Sequence, residues 1–232
     1  MPGPNLTALI LAAGRGERMR PLTDATPKPL LPVHGKPMIE WQLEALARDG
    51  VREVVINTAW LEEQFPAALG DGRRWGLSIR YSMEGRDHGG ALETAGGIAK
   101  ALRWLGESFW VVSGDIVIPG FVFDPALAQA FAAGSDDAVI WLVPNPDFNT
   151  AGDFRLDGDR VQRDDGPRPL TYANIALVRR CLVDGLAPGT PAKLNRYLFD
   201  AAAAGRLAGR LLEGPWHNLG TPQQLAALDP AG

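Results

Sequence analysis

A stretch near the start of the chain, Leu11-Ala12-Ala13-Gly14-Arg15-Gly16-Glu17-Arg18-Met19, has the residue types that hold phosphate groups. Gly14 and Gly16 can take backbone angles closed to other residues and bring main-chain N–H groups close to an anion. Arg15 and Arg18 add charge-assisted donors. The spacing is neither a dinucleotide fingerprint, which needs a third glycine, nor a Walker loop, which needs Gly-Lys-Ser/Thr. A plain strand-to-helix turn is the alternative. Further on, Thr26-Pro27-Lys28-Pro29-Leu30 sets one lysine between two prolines. Fixed φ angles around it limit where the ammonium can go, and a restrained lysine is a good phosphate clamp. By itself the segment would equally serve as a surface loop. Ser113-Gly114-Asp115 places a carboxylate behind an apolar run. Mg²⁺ takes one or two such ligands plus waters and phosphates; a turn aspartate is the competing reading.

The elements that must position these groups follow from periodicity. Short apolar runs at 6–11, 54–57, 77–82, 109–113 and 138–143 predict strands, and helix-period faces at 37–49, 61–69 and 91–105 lie between them. Such alternation implies right-handed crossovers and a parallel sheet covered on both faces, with ligands at the carboxyl ends of the strands. Beyond 143 the pattern changes. A hairpin of 153–156 and 160–163 about an Asp157-Gly158 turn, a strand at 170–178, a helix at 192–204, a strand at 207–212 and a helix at 222–228 complete the chain. The prediction is one α/β domain over 1–232: a Rossmann-like, doubly wound, mostly parallel sheet with a small antiparallel addition in the C-terminal third.

Composition narrows the partners. A net charge of -4 without any Lys/Arg block argues against nucleic acid. Cys181 is the sole cysteine, and no Cys/His cluster has zinc spacing, which fits a reducing, cytoplasmic setting. Residues 1–5 carry no basic leader, and the apolar run after them is too short to span a bilayer. His34, His88 and His217 read as surface or loop residues.

The combination Leu-Ala-Ala-Gly-x-Gly-x-Arg-Met at 11–19 with Lys-Pro-Leu at 28–30 closely resembles the signature of the sugar-1-phosphate nucleotidyltransferases. Within that family the chain looks most like the short bacterial N-acetylmuramate-1-phosphate uridylyltransferases of cell-wall recycling. The absence of a hexapeptide-repeat segment argues against a bifunctional acetyltransferase. The resemblance implies the nucleotide-diphospho-sugar transferase fold, with a nucleotide side at 6–115 and a sugar side at 138–228. It implies UTP and N-acetylmuramate 1-phosphate as substrates; mannose 1-phosphate with GTP, another hexose 1-phosphate and phosphocholine remain open, as does a non-catalytic nucleotide-sugar binder. A monomer or a homodimer is expected.

The resemblance also assigns roles. Ala12, Ala13, Gly14, Gly16 and Arg18 would hold the nucleotide phosphates, with Arg18 stabilising the departing pyrophosphate and Lys28 steering the incoming sugar phosphate. Asn57 and the helix start carrying Gly96 and Gly97 would form the nucleoside pocket, although glycines there also suit close packing. Mg²⁺ would be held by Asp115 and, in Trp216-His217-Asn218-Leu219-Gly220-Thr221, by Asn218, where the family often has aspartate. The neutral amide removes one negative charge from that site. Glu84, Asp153 and Asn174 are expected on the sugar side, and 85–90 reads as a loop. No catalytic base is required, because a sugar 1-phosphate is already an anionic nucleophile.

Overall fold

The computed structural model describes residues 6–229; the leader reading of residues 1–5 and the last residues 230–232 fall outside the described residues. Strand β1 (Thr7–Leu11) opens the fold, followed by the short helix α1 (Leu22–Ala25), the small hairpin β2 (Pro32–Val33) and β3 (Lys36–Pro37), and helix α2 (Met38–Arg48). Next come β4 (Glu53–Thr58), α3 (Gln64–Leu69), β5 (Ser78–Met83), α4 (Glu84–His88), α5 (Glu93–Ala101), β6 (Ser108–Ser113), β7 (Ile116–Val117) and α6 (Pro125–Ala133). The C-terminal third contains β8 (Ala138–Pro144), β9 (Arg155–Asp157), β10 (Arg160–Gln162), β11 (Leu170–Arg179), α7 (Leu194–Ala203), β12 (Leu207–Leu211), β13 (His217–Asn218) and α8 (Pro222–Leu228).

Nine strands form one sheet in the order β5-β4-β1-β6-β11-β8-β12-β10-β9. β1 is parallel to β4 and β6, and β4 to β5. β11 lies antiparallel between β6 and β8, and β12 is parallel to β8, so β8 and β12 run the same way as β1. Side chains alternate across this sheet as a period of two requires. Ala8, Ile10, Val54, Ile56, Trp110, Val112, Ile175 and Leu177 pack on one side with Ile39, Leu43 and Leu46 of α2, Phe65 of α3 and Phe131 of α6. Leu9, Val55, Phe109, Val111, Ala176 and Val178 pack on the other with Ile98 of α5 and Leu194 and Leu198 of α7. Burial on both faces explains why the strands read as continuous apolar runs.

The structure departs from the periodicity at particular places. The antiparallel component is not confined to an edge, because β11 is inserted in mid-sheet between β6 and β8. Its run Ile175–Val178 is buried throughout, which marks an interior strand, but pairing direction leaves no trace in composition. The hairpin turns at Gly158-Asp159 rather than Asp157-Gly158, with Gly158 at φ 60. α3 starts at Gln64, since Leu61 takes φ 47 and breaks the helical path before it. The expected 91–105 helix begins only at Glu93 and ends at Ala101, passing into the 3-10 turn Leu102–Trp104. Residues 84–88, expected as loop beyond Glu84, form α4, whose first N–H groups are accepted by the Glu62 carboxylate at 3.1 Å from Gly85 and 2.6 Å from Arg86. No helix of the described residues is long and apolar enough to cross a membrane.

Leu43 lies on the sheet-facing side of α2 with no solvent exposure and no contribution to the cleft described below. Leu43→Ala should lower unfolding free energy by about 2–5 kcal/mol in urea denaturation through lost transfer energy and an unfilled cavity.

Candidate active site

The parallel strands β1, β4 and β6 end at a cleft of about 660 Å³ lined by residues 11–18, Lys28, Pro29, Asn57, Ala91, Glu93, Thr94, Ser113, Asp115 and Gly220. Its floor is set where β1 runs out. Leu11 accepts a hydrogen bond from Gly114 N at 2.9 Å, and Ala12 N donates to Asn57 Oδ1 at 2.8 Å. A Cβ on Gly114 would stand 3.2 Å from Pro29 and 3.3 Å from Ile10, so this glycine lets the Lys28 segment approach the strand ends.

Beyond Ala12 the chain turns away with open donors. The main-chain N–H groups of Ala13 and Gly14 have no hydrogen-bond partner among the described residues, and a Cβ on Gly14 would meet nothing within 4 Å. Gly16 adopts φ 68, the left-handed region that glycine enters freely. The turn is tied from behind by the buried Thr23, whose Oγ1 donates to Gly16 O at 2.8 Å and whose carbonyl accepts from Arg15 at 2.8 Å and from Trp60 at 2.9 Å. Arg15 is thereby occupied: it also pairs with Asp24 at 3.1 Å and stacks 3.6 Å over Trp60. Arg18 has no ion pair or hydrogen bond among the described residues and lies against Gly220, where a Cβ would be 3.2 Å from its guanidinium. Of the two arginines, Arg18 is therefore the one free to meet an anion in the cleft.

Lys28 and Asp115, separate readings in the sequence, are one unit in space. Lys28 Nζ donates to Asp115 Oδ2 at 2.6 Å, with the lysine side chain 9% and the aspartate 31% exposed. An ammonium so buried needs a charged partner. Asp115 Oδ1 makes no hydrogen bond among the described residues, and the residue borders the cleft. Among the described residues no group of three His, Cys, Asp or Glu side chains could hold a metal by itself. One carboxylate facing a cleft with open donors suits a hard cation that draws its remaining oxygens from water and phosphate. Asn218 sits nearby through the ladder β7–β13, where it pairs with Ile116 and Leu219 N donates to Asp115 O at 3.2 Å. Its side chain, however, borders a second recess, not the cleft wall that Asp115 borders.

That recess, about 200 Å³, is lined by Asp153, Phe154, Thr171, Tyr172, Asn174, Asn195, Phe199 and Asn218. Asn174 stands at φ 62, inside the irregularity that interrupts the β11–β8 register between Tyr172 and Ala176. Such an irregularity re-aims a side chain that the pleat would otherwise fix. Asp153 is already engaged, accepting from Tyr172 N at 2.9 Å and Asn149 Nδ2 at 3.1 Å, so it shapes the recess as much as it lines it. Asn195 and Thr171 border it without any sequence signal that singled them out.

Three expected contact residues lie elsewhere. Glu84 has no solvent exposure and borders neither space: Oε1 accepts from Asn57 Nδ2 at 2.8 Å and Oε2 from Leu92 N at 2.7 Å. Burial pushes its carboxyl above the usual carboxylate range, with the two hydrogen bonds opposing that shift. Its observed work is to hold Asn57, not a sugar. Gly97 packs onto this pair, since a Cβ there would come within 2.5 Å of Asn57 Nδ2 and 2.8 Å of Glu84 Oε1. Gly96 packs against the far side, 2.5 Å from Thr190 O by the same measure, and the N–H groups of Ala95 and Gly96 are both accepted by Ala192 O. Close packing is what the structure shows these glycines to provide. The α5 residues that do border the cleft are Glu93, at φ 59, and Thr94.

Comparisons with known proteins agree with this geometry. A model of the family described as nucleotidyl transferase matches residues 7–162. The chain is 45% identical over 224 residues to the N-acetylmuramate alpha-1-phosphate uridylyltransferase of Neisseria meningitidis serogroup B, covering 93% of this chain and 94% of that one. It is 33% identical to the protein of the same description from Caulobacter vibrioides, covering 95% and 94%. A solved Bacillus anthracis structure, provisionally described as a glucose-1-phosphate thymidylyltransferase, superposes with a TM-score of 0.83 over 97% of this chain and 94% of that one at 21% identity, a likeness of fold.

Gly97→Ala tests the packing that holds Asn57. The added methyl should displace the Asn57 amide from Ala12 N and lower kcat/KM in a nucleotidyl-transfer assay by about 10-fold or more, the scale of one lost buried hydrogen bond. Far-ultraviolet circular dichroism should be unchanged; full activity would show that Asn57 does not set the cleft floor.

Proposed function

The chain belongs to the nucleotidyl transferase family, and on that premise we propose that it joins UMP from UTP to N-acetylmuramate 1-phosphate, releasing pyrophosphate. The observation that carries the reading is the cleft itself: open main-chain donors at residues 13–14, an uncommitted Arg18 and the Lys28–Asp115 pair converge where β1, β4 and β6 end. The choice of sugar and base is supported by relatives of that description that match the chain almost end to end.

In the proposed reaction, a phosphate oxygen of the sugar 1-phosphate attacks the α-phosphorus of UTP in line. The new P–O bond forms as the bond to the β-phosphate bridging oxygen breaks, and no proton must move. The Ala13 and Gly14 N–H groups and Arg18 hold the triphosphate and receive the charge that grows on pyrophosphate. Lys28 supplies the positive charge that lets two anions approach, and Asp115 keeps its ammonium on one line. The Asp115 carboxylate would hold Mg²⁺ together with the phosphates, with Asn218 joining only if its amide turned from the second recess; when bound, the ion would neutralise triphosphate charge. The recess about Asn174 and Asn195 would take the sugar's polar groups. We place the reaction in the cytoplasm, where nucleoside triphosphates are made.

Pyrophosphate release should be measured with Mg²⁺ over a grid of nucleoside triphosphates against N-acetylmuramate, N-acetylglucosamine, glucose and mannose 1-phosphates and phosphocholine. One dominant signal at UTP with N-acetylmuramate 1-phosphate is expected, abolished by chelation. A dominant signal elsewhere would replace the substrates. Binding of UTP without turnover anywhere would replace the enzyme with a nucleotide-sugar binder. Lys28→Ala should lower kcat by about 100-fold or more while the protein stays folded, the scale found for removal of one charge-stabilising group. Near-normal turnover would remove Lys28 from the reaction.

A further inference from the structure

The proposed acceptor carries a second acid group. A muramate differs from a glucosamine by a lactyl ether ending in a carboxylate, and a site that selects it must offer that anion a partner. The recess on the sugar side offers none among its lining side chains. Asp153 is its sole ionisable carboxyl group and repels an added anion, and no lysine or arginine lines it. A carboxylate brought there needs a cation from just outside the wall.

The hairpin of β9 and β10 and the residue after it carry three arginines, of which Arg163 reaches that wall through Phe199. Arg155 is committed to Asp164 at 2.6 Å, and Arg160 to Asp136 at 2.6 Å. Arg163, the residue directly after β10, has no ion pair or hydrogen bond among the described residues. Its guanidinium instead lies 3.8 Å over the ring of Phe199, which lines the recess and meets the lining Phe154 edge-on at 5.7 Å between centroids. Stacking on an aromatic face fixes the plane of a guanidinium without using its N–H donors. The forked donors therefore stay available beside Phe199, in the planar geometry that matches a carboxylate, while Arg163 itself borders a separate surface recess with Asp164, Asp165 and Arg168.

We propose that Arg163 is a specificity-determining residue that binds the lactyl carboxylate of the acceptor and so favours a muramate over a glucosamine. This rests on the acceptor proposed above. Asn174 and Asn195 would read groups common to both sugars, whereas Arg163 answers to the one charge that separates them.

The test is a selectivity measurement with UTP and Mg²⁺, using N-acetylmuramate 1-phosphate, its lactyl methyl amide and N-acetylglucosamine 1-phosphate on the wild type and on Arg163→Gln. Arg163 is solvent-exposed, so the variant should fold, which an unchanged thermal midpoint would verify. Arg163→Gln is expected to lose about 10- to 100-fold in kcat/KM on the muramate, the range of one charge-assisted hydrogen bond. It should stay within about 2-fold of wild type on the glucosamine and the amide, because neither carries the charge. An equal loss on all three acceptors, or no loss on the muramate, would overturn the role of Arg163 and leave the proposed reaction standing. A wild type inactive on the muramate would overturn the proposed acceptor, and Arg163 with it.

Discussion

The amide of Asn57 closes the hydrogen bonding that β1 leaves open at its carboxyl end. β1 is flanked by β4 and β6, and its ladder stops at Leu11, so the next N–H, that of Ala12, would be buried without a partner. Asn57, at the same level on β4, supplies the acceptor. Its other end is held by Glu84, which also receives Leu92 N and so ties the start of α5 to the same point. Gly97 is required there because the helix passes too close for a side chain. A single side-chain amide thus sets where the sheet stops and where the cleft begins, and the glycine turn after Ala12 is free to face outward as a result.

The electrostatics of the cleft follow from which charges are already spent. Lys28 is nearly buried and held by Asp115, whereas Arg15 is consumed by Asp24, Thr23 and Trp60. Arg18 remains open beside the unpartnered N–H groups. An anion entering the cleft therefore meets fixed donors that need no rearrangement, which is the condition under which charge stabilisation is most effective.

The second recess is built by a different device. β11 enters antiparallel between β6 and β8, and its interrupted register turns Asn174 toward a recess that a regular strand would have closed. The 144–153 connection is pinned above it by Asn149, which donates to both Asp153 and Thr171. Gly152, at φ 63, admits the Arg168 carbonyl so closely that any Cβ would stand 1.8 Å from it. The recess is thus a consequence of backbone geometry, with Asp153 and Thr171 of its lining held by hydrogen bonds within the protein.

Much of this was legible from residue order. The first four parallel strands and the helices packed on them were readable because burial on both faces and the 3.6-residue period leave local patterns. The glycine turn, Lys28, Asp115 and Arg18 were singled out by residue type and spacing, their roles came from the family resemblance, and all of them border the cleft. Glu84, Gly96 and Gly97 were read as contact residues from the resemblance, whereas their close packing against Asn57, Leu92 and the 190–192 backbone depends on segments remote in sequence. The pairing of Lys28 with Asp115 spans 87 residues, and the place of β11 in the sheet depends on partners equally remote. Residue order carried the repertoire, that is, strands buried on both faces, a glycine turn and the charges near it. Which of those charges are paired and which face the cleft emerged with the fold, because hydrogen bonding and desolvation between distant segments exist only once the chain has folded.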